Sequence, residues 1–315
     1  MKDTSSEPGW TGYAALFVAV ALFSTVEIAS KLLGRQAPVD PFILVFVRFF
    51  VTAVLLLMWS QASWRRRIVD FGWRDWGIFC LNGFVGITVS ISLFHLAILS
   101  FRNAASSAVV FSANPVFVTV FARFINKESW NVRKWISVCM GCFGVGLFAW
   151  ESGNPTSESL VGLSLMIGAA AFFALSICIS RRFVSSYGAV PFMGFSSLFG
   201  SVMVLPVGLL RAGPESMASL VDGWMLVAYI AVFGTAVAYG AYYIGLSRTS
   251  AYQASMSFFL KPVMASVLSV LMLSEQLNAW TVCGTMLILA GLFLSVKMPK
   301  RKQKTETAPQ REPVS

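Results

Sequence analysis

The sequence predicts an all-α integral membrane protein: ten transmembrane helices arranged as two inverted five-helix repeats. Three observations predict it. Long apolar runs recur along the 315-residue chain between short polar interruptions. The second half repeats landmarks of the first. Lysine and arginine fall mostly on alternate connections.

The apolar runs come first. The chain is 57% hydrophobic and only 12% charged, with a mean hydropathy of +0.72. A soluble domain carries about 25% charged residues. Each run is roughly 17–25 residues, enough to cross about 30 Å of hydrocarbon at 1.5 Å per residue. In lipid every backbone polar group needs an internal partner, so such runs must be helices. No segments alternate polar and apolar as a membrane barrel requires. The predicted spans are 12–33, 41–59, 76–99, 104–124, 134–150, 160–180, 191–211, 223–246, 252–274 and 278–297. They divide the chain into an N-terminus (1–11), a first repeat (12–150), a polar linker ESGNPTSES (151–159), a second repeat (160–297) and a basic tail (298–315). The first apolar run is too long for a cleavable signal, and its flank MKDTSSEP carries two acids. Every tryptophan lies near a span end, where amphipathic rings prefer to sit.

Charge orients the spans. Eighteen lysines and arginines fall on the side that receives both termini, four on the other, and two (Arg48 and Lys261) inside spans. That asymmetry predicts an even number of spans, both termini in the cytoplasm and an external 151–159 linker. It also gives the net charge of +10 a reading as a topology signal at the lipid bilayer, with no nucleic acid implied.

The repeat follows from a shift of about 147–150 residues. Pro41-Phe42 then meets Pro191-Phe192, Trp76 meets Trp224, and Gly86 meets Gly234. Pro115-Val116 meets Pro262-Val263, Glu128 meets Glu275, and Gly144 meets Gly291. Five is an odd number of spans, so the second copy must cross in the opposite sense. Inverted repeats recur in transporters, with the site near the midplane at the repeat interface.

The segment GTAVAYGAYYIGLSRTSAYQASMSFFLKPVMASVLSVLMLSE (234–275) resembles the second-repeat pattern of the EamA-type branch of the drug/metabolite transporter superfamily. LFHLAILSFRNAASSAVVFSANPVFVTVFARFINKE (93–128) is a weaker first-repeat version, and Phe23-Ser24-Thr25 through Lys31 resembles the first-helix motif, with Phe23 where tryptophan is usual. The resemblance covers residues 12–297. It implies a central cavity bordered by the fourth and ninth helices, and it favours export. Arg48 matches an arginine often found in that family's second helix.

The candidate residues are the polar and conformationally special ones within spans. Pro115 and Pro262 each remove a helical hydrogen bond and are expected to act as cavity-lining hinges that leave the Phe111 and Phe258 carbonyls unpaired. Packing kinks are the alternative. Glu27, Arg48 and Lys261 are the deep ionisable groups. Such groups face the bundle interior because lipid exposure is expensive. Glu27 and Arg48 lie at similar depth on antiparallel neighbours, so a structural ion pair competes with a substrate or proton role for Glu27. Lys261 has Asn114 as its repeat mate, and His95, the one histidine, has Tyr243. Tyr239, Tyr242, Tyr243, Phe258 and Phe259 could form an aromatic wall.

No catalytic motif or phosphate-binding loop is present, and a single histidine leaves a metal site without its usual ligands. Cys139 and Cys142 form a C-x-x-C within an apolar helix and read as packing residues. No cofactor is expected. The function expected is secondary active transport of a small metabolite, an amino acid or amphipathic compound, across the cytoplasmic inner membrane by alternating access. The energy source would be a coupling proton, another ion or the substrate's own gradient. A lipid-linked substrate flippase and an integral-membrane enzyme are the alternatives. Gly141, Gly144 and Gly146 allow close helix approach and leave a homodimer open.

Overall fold

A computed structural model describes residues 10–37, 39–66, 68–100, 111–129, 131–151, 160–212, 219–261, 263–264 and 279–296. The Glu27 and Lys31 side chains lie outside the described set, as do Pro262, Glu275, most of the 151–159 linker and both termini.

The described residues form helices. The longer ones, in chain order, are α1 (Trp10–Gln36), α2 (Pro41–Trp59), α3 (residues 73–100), α4 (Asn114–Ile125), α5 (Val132–Glu151), α6 (Leu160–Tyr187), α7 (Ala189–Arg211), α8 (Trp224–Arg248), α9 (from Ala251 to Lys261) and α10 (Ala279–Val296); short turns of helix at Gln61–Trp64 and Ile68–Asp70 lie between α2 and α3. Among the described residues five helices are long and apolar enough to cross a membrane: α2, α3, α6, α7 and α8. The boundaries have local causes. Asp40 caps α2, its Oδ1 accepting from the Phe42 N–H at 2.8 Å, and Pro41 opens the first turn where no N–H is needed. Ser250 and Gln253 cap α9 reciprocally. Helix α6 runs seven residues past the predicted end at 180, to Tyr187. The single residue Gly188 then turns the chain into α7 at φ 89°, a conformation that favours glycine.

The surface is apolar where a soluble protein's would be polar. Along α2 the buried stripe runs through Val45, Phe49, Thr52 and Leu56, while Phe50, Val54, Leu55 and Met58 on the other side are exposed. Helix α7 likewise exposes Val202, Val207, Leu209 and Leu210. Exposed apolar surface on this scale needs a non-aqueous neighbour, and a bilayer supplies one. Trp10, Trp59, Trp73 and Trp224 are exposed at helix ends.

Helix contacts are reciprocal between the halves. Helix α1 packs on α8, and its counterpart α6 packs on α3. Helix α2 pairs with α7, and α5 pairs with α10. Glycine permits the tightest approaches. A Cβ on Gly86 would lie 2.2 Å from Ser176 Oγ on α6, and one on Gly234 would lie 2.5 Å from Val26 Cγ2 on α1. Gly144 and Gly291, also repeat mates, would each meet the backbone across the α5–α10 crossing. Gly141 faces Phe259. Two of the three glycines that left a dimer open are therefore used within the chain.

Both α3 and α8 contain a π-helical stretch, Phe84–Ile91 and Val232–Val237, at positions matched by the repeat. Such widened turns often mark functional sites because they re-aim side chains.

Candidate functional site

A partly open pocket lies between the halves. Phe23, Arg48, Phe94 and Phe111 line it from the first half, and Phe173, Tyr239, Phe258 and Lys261 from the second. The aromatic rings meet one another around it. Phe23 meets Tyr239 edge-on at 4.9 Å and stacks on Phe258 at 5.9 Å, while Phe111 meets Phe173 at 5.5 Å.

Arg48 is the most constrained polar group of the lining. It is 5% exposed. Its Nε donates to Thr235 Oγ1 at 3.0 Å, and its Nη1 lies 3.3 Å from His95 Nε2. A guanidinium has no acceptor, so the ring nitrogen accepts. Thr235 sits in the π-helical stretch of α8, and its own hydroxyl proton goes to the Ile230 carbonyl at 2.7 Å. That leaves an oxygen lone pair for Arg48, and the widened turn thereby orients the guanidinium. Among the described residues no carboxylate lies within ion-pair distance of Arg48.

The other predicted residues separate. Tyr239 and Lys261 line the cavity, and the Lys261 ammonium sits 6.0 Å from the centroid of the Phe111 ring. His95 is buried against Arg48. The expected Glu27–Arg48 pair involves a side chain outside the described residues. Asn114 is fully buried beside the cavity wall, its amide donating to the Ala170 carbonyl at 2.9 Å, and it is not part of the lining. Pro115 sits differently from expectation. After a turn at Ser112–Ala113, α4 restarts at Asn114, which puts the proline in a first turn where its missing N–H removes no bond. Phe259 packs on Gly141 away from the cavity.

Tyr243 belongs to a second buried cluster. Its hydroxyl lies 2.8 Å from Ser180 Oγ, and both meet Asn82. The Asn82 amide also donates to Ser196 at 3.1 Å, and Ser176 donates to the Asn82 oxygen at 3.3 Å. One asparagine thus ties α3 to α6, α7 and α8. Separately, Glu128 accepts from the Ala251 N–H at the start of α9, at 2.9 Å, and pairs with Lys134 at 3.1 Å. Sequence reasoning missed Thr235, Phe173 and the Asn82 cluster. An asparagine inside a span and a threonine beside the repeated Gly234 were the available signals.

The profile of the EamA-like transporter family matches residues 10–150 and again 160–297. The chain belongs to the EamA-like transporter family. The double match indicates duplicated halves. Over 92% of its length, this EamA-like chain is 27% identical to an uncharacterized transporter of Clostridium kluyveri, covering 94% of that protein. It is 25% identical to the uncharacterized transporter YetK of Bacillus subtilis, covering 92% of this chain and 88% of that one. It is 22% identical to the uncharacterized inner membrane transporter YicL of Salmonella typhimurium, covering 90% and 94%. One solved crystal structure superposes with a TM-score of 0.72 at 18% identity, over 92% of this chain and 97% of the other, which shows a shared fold. The chain is a multi-pass membrane transporter.

Proposed function

We propose that this EamA-like transporter is a secondary carrier that moves a small metabolite across the cytoplasmic membrane by alternating access. It would use ten spans in two inverted repeats with both termini cytoplasmic. The observation that carries the reading is the cavity whose wall is shared between the two matched halves. A site at such an interface opens to each side in turn when one half rocks against the other. The reciprocal contacts of α1 with α8 and α6 with α3 support it.

The polar clusters extend the reading. In the orientation set by the positive charges, Arg48 lies in the outer half of α2. Asn82, Ser180, Ser196 and Tyr243 lie nearer the cytoplasmic ends of their helices, as do Glu128 and Ala251. Their hydrogen bonds would close the inner side while the cavity communicates outward. Export remains the favoured direction by family resemblance. Proteoliposomes containing the purified chain, loaded with a metabolite mixture and read by mass spectrometry, test the carrier reading. Protein-dependent efflux of at least one compound is expected. Retention of every compound, with or without a proton gradient, would overturn it.

A further inference from the structure

We propose that the transported substrate is a small organic anion, a carboxylate on an apolar ring-bearing body, whose charged group is bound by Arg48. The proposal rests on the carrier reading above and names its substrate class.

The guanidinium is buried and lines the cavity. Its described partners, Thr235 and His95, are neutral acceptors that hold it without cancelling its charge. They engage Nε and Nη1, and the remaining N–H groups have no described acceptor. A planar fork of donors fixed in this way matches the two oxygens of a carboxylate. Lys261 adds a second cation to the same wall. The rest of that wall is apolar: Phe23, Phe111, Phe173 and Phe258 offer faces and edges to a ring or an alkyl body. Mostly apolar pockets with a few fixed polar groups orient a ligand by its one charged end. A low-dielectric surround strengthens the ionic contact and makes the uncharged analogue a poor substitute. Thr235 and its π-helical turn act as positioning elements, since they fix where the fork points.

The probes are 3-phenylpropionate and its uncharged amide, 3-phenylpropionamide. Binding to the full chain in detergent is read by ligand-dependent thermal shift, because a ligand that binds the folded state raises apparent stability. The acid is expected to bind at least tenfold more tightly than the amide. In Arg48→Gln that preference should vanish, and Arg48→Lys should restore part of it. If Arg48→Gln does not fold, Thr235→Val serves instead: it keeps the charge and removes its anchor. It should weaken the acid about three- to tenfold and leave the amide unchanged. Equal affinity for acid and amide in the parent, or an undiminished acid preference in the folded Arg48→Gln or Thr235→Val chain, would overturn the proposal. Proteoliposome efflux of the two probes and of 3-phenylpropylamine separates the two levels. Movement of the amine or amide without the acid overturns the anion assignment and leaves the carrier standing. Movement of no compound, these or the metabolite mixture, overturns both.

Discussion

Replacing Gly86 by alanine tests how closely the halves are wedged together beside the cavity. A Cβ at this position would lie 2.2 Å from Ser176 Oγ and 2.8 Å from Ser176 Cβ, where ordinary contact begins at 3.4 Å. Rotating the serine hydroxyl relieves the first overlap but breaks its bond to Asn82. The second remains, short by roughly 0.6 Å, because Cβ cannot rotate away. The backbones must then part, against the bond from Ser90 to the Ala169 carbonyl at 2.9 Å and that from Ser180 to Asn82 at 3.1 Å. Overpacking of this kind costs about 1–3 kcal/mol, offset in part by the up to ~1 kcal/mol that alanine gains over glycine in a helix. The expected net loss is about 1–2 kcal/mol, measured by reversible detergent unfolding followed through tryptophan fluorescence. Ser176→Gly removes both clashing atoms, so the double variant should be more stable than the sum of the single losses by about 1 kcal/mol. Phe173 lies one turn before Ser176 and lines the cavity, so ligand affinity should fall in parallel. A Gly86→Ala chain as stable as the parent, or additive single and double losses, would refute the reasoning.

Further outcomes follow from the same geometry. Asn82→Ala should cost about 1–3 kcal/mol in the same unfolding assay, since interhelical hydrogen bonds in membranes average about 0.6 and reach about 1.7 kcal/mol each; a loss below the measurement error would show that water or other partners take over. Glu128→Ala should cost about 1–2 kcal/mol, because it strips a charged acceptor from the first turn of α9 and leaves Lys134 without its ion pair. Glu128→Gln should recover part of that loss by keeping the acceptor. Pro115→Ala should leave stability within about 1 kcal/mol, since a first-turn N–H has no intrahelical acceptor; a loss above that range in thermal denaturation would restore the mid-helix reading. A cysteine at Ser157 in a cysteine-depleted chain should react with an impermeant reagent in intact cells, and labelling only after permeabilisation would reverse the proposed orientation.

Much of this transporter was legible in its sequence, for physical reasons that act locally. A bilayer demands long apolar helices whatever their neighbours, so the runs behind α2, α6, α7 and α8 were visible directly. The duplication was carried by matched prolines, glycines and glutamates, and the family by the resemblance of segments 234–275 and 93–128 to its repeat pattern. Depth within an apolar run marked Arg48 and Lys261, since a charge there must have an internal destination, and both line the cavity. What each of them meets could not be read that way. Arg48 was expected to find Glu27 at equal depth; its described partners are Thr235 and His95, one of them 187 residues away in the chain. Pro115 resembled a mid-helix residue, and nothing local signals the turn at Ser112–Ala113 that places it in the first turn of α4. Tyr239 and Tyr243 are one turn apart on α8, yet one lines the cavity and the other joins the Asn82 cluster. Helical periodicity assigns such residues to a similar face. Which neighbour each meets depends on how α2, α3 and α6 cross α8 and on glycines that set the crossing distances. Composition and spacing determined that this chain spans a membrane in duplicated halves, and resemblance to the EamA pattern marked it as a transporter. Only the packing of distant helices decided which of its polar groups face the cavity and which hold its walls together.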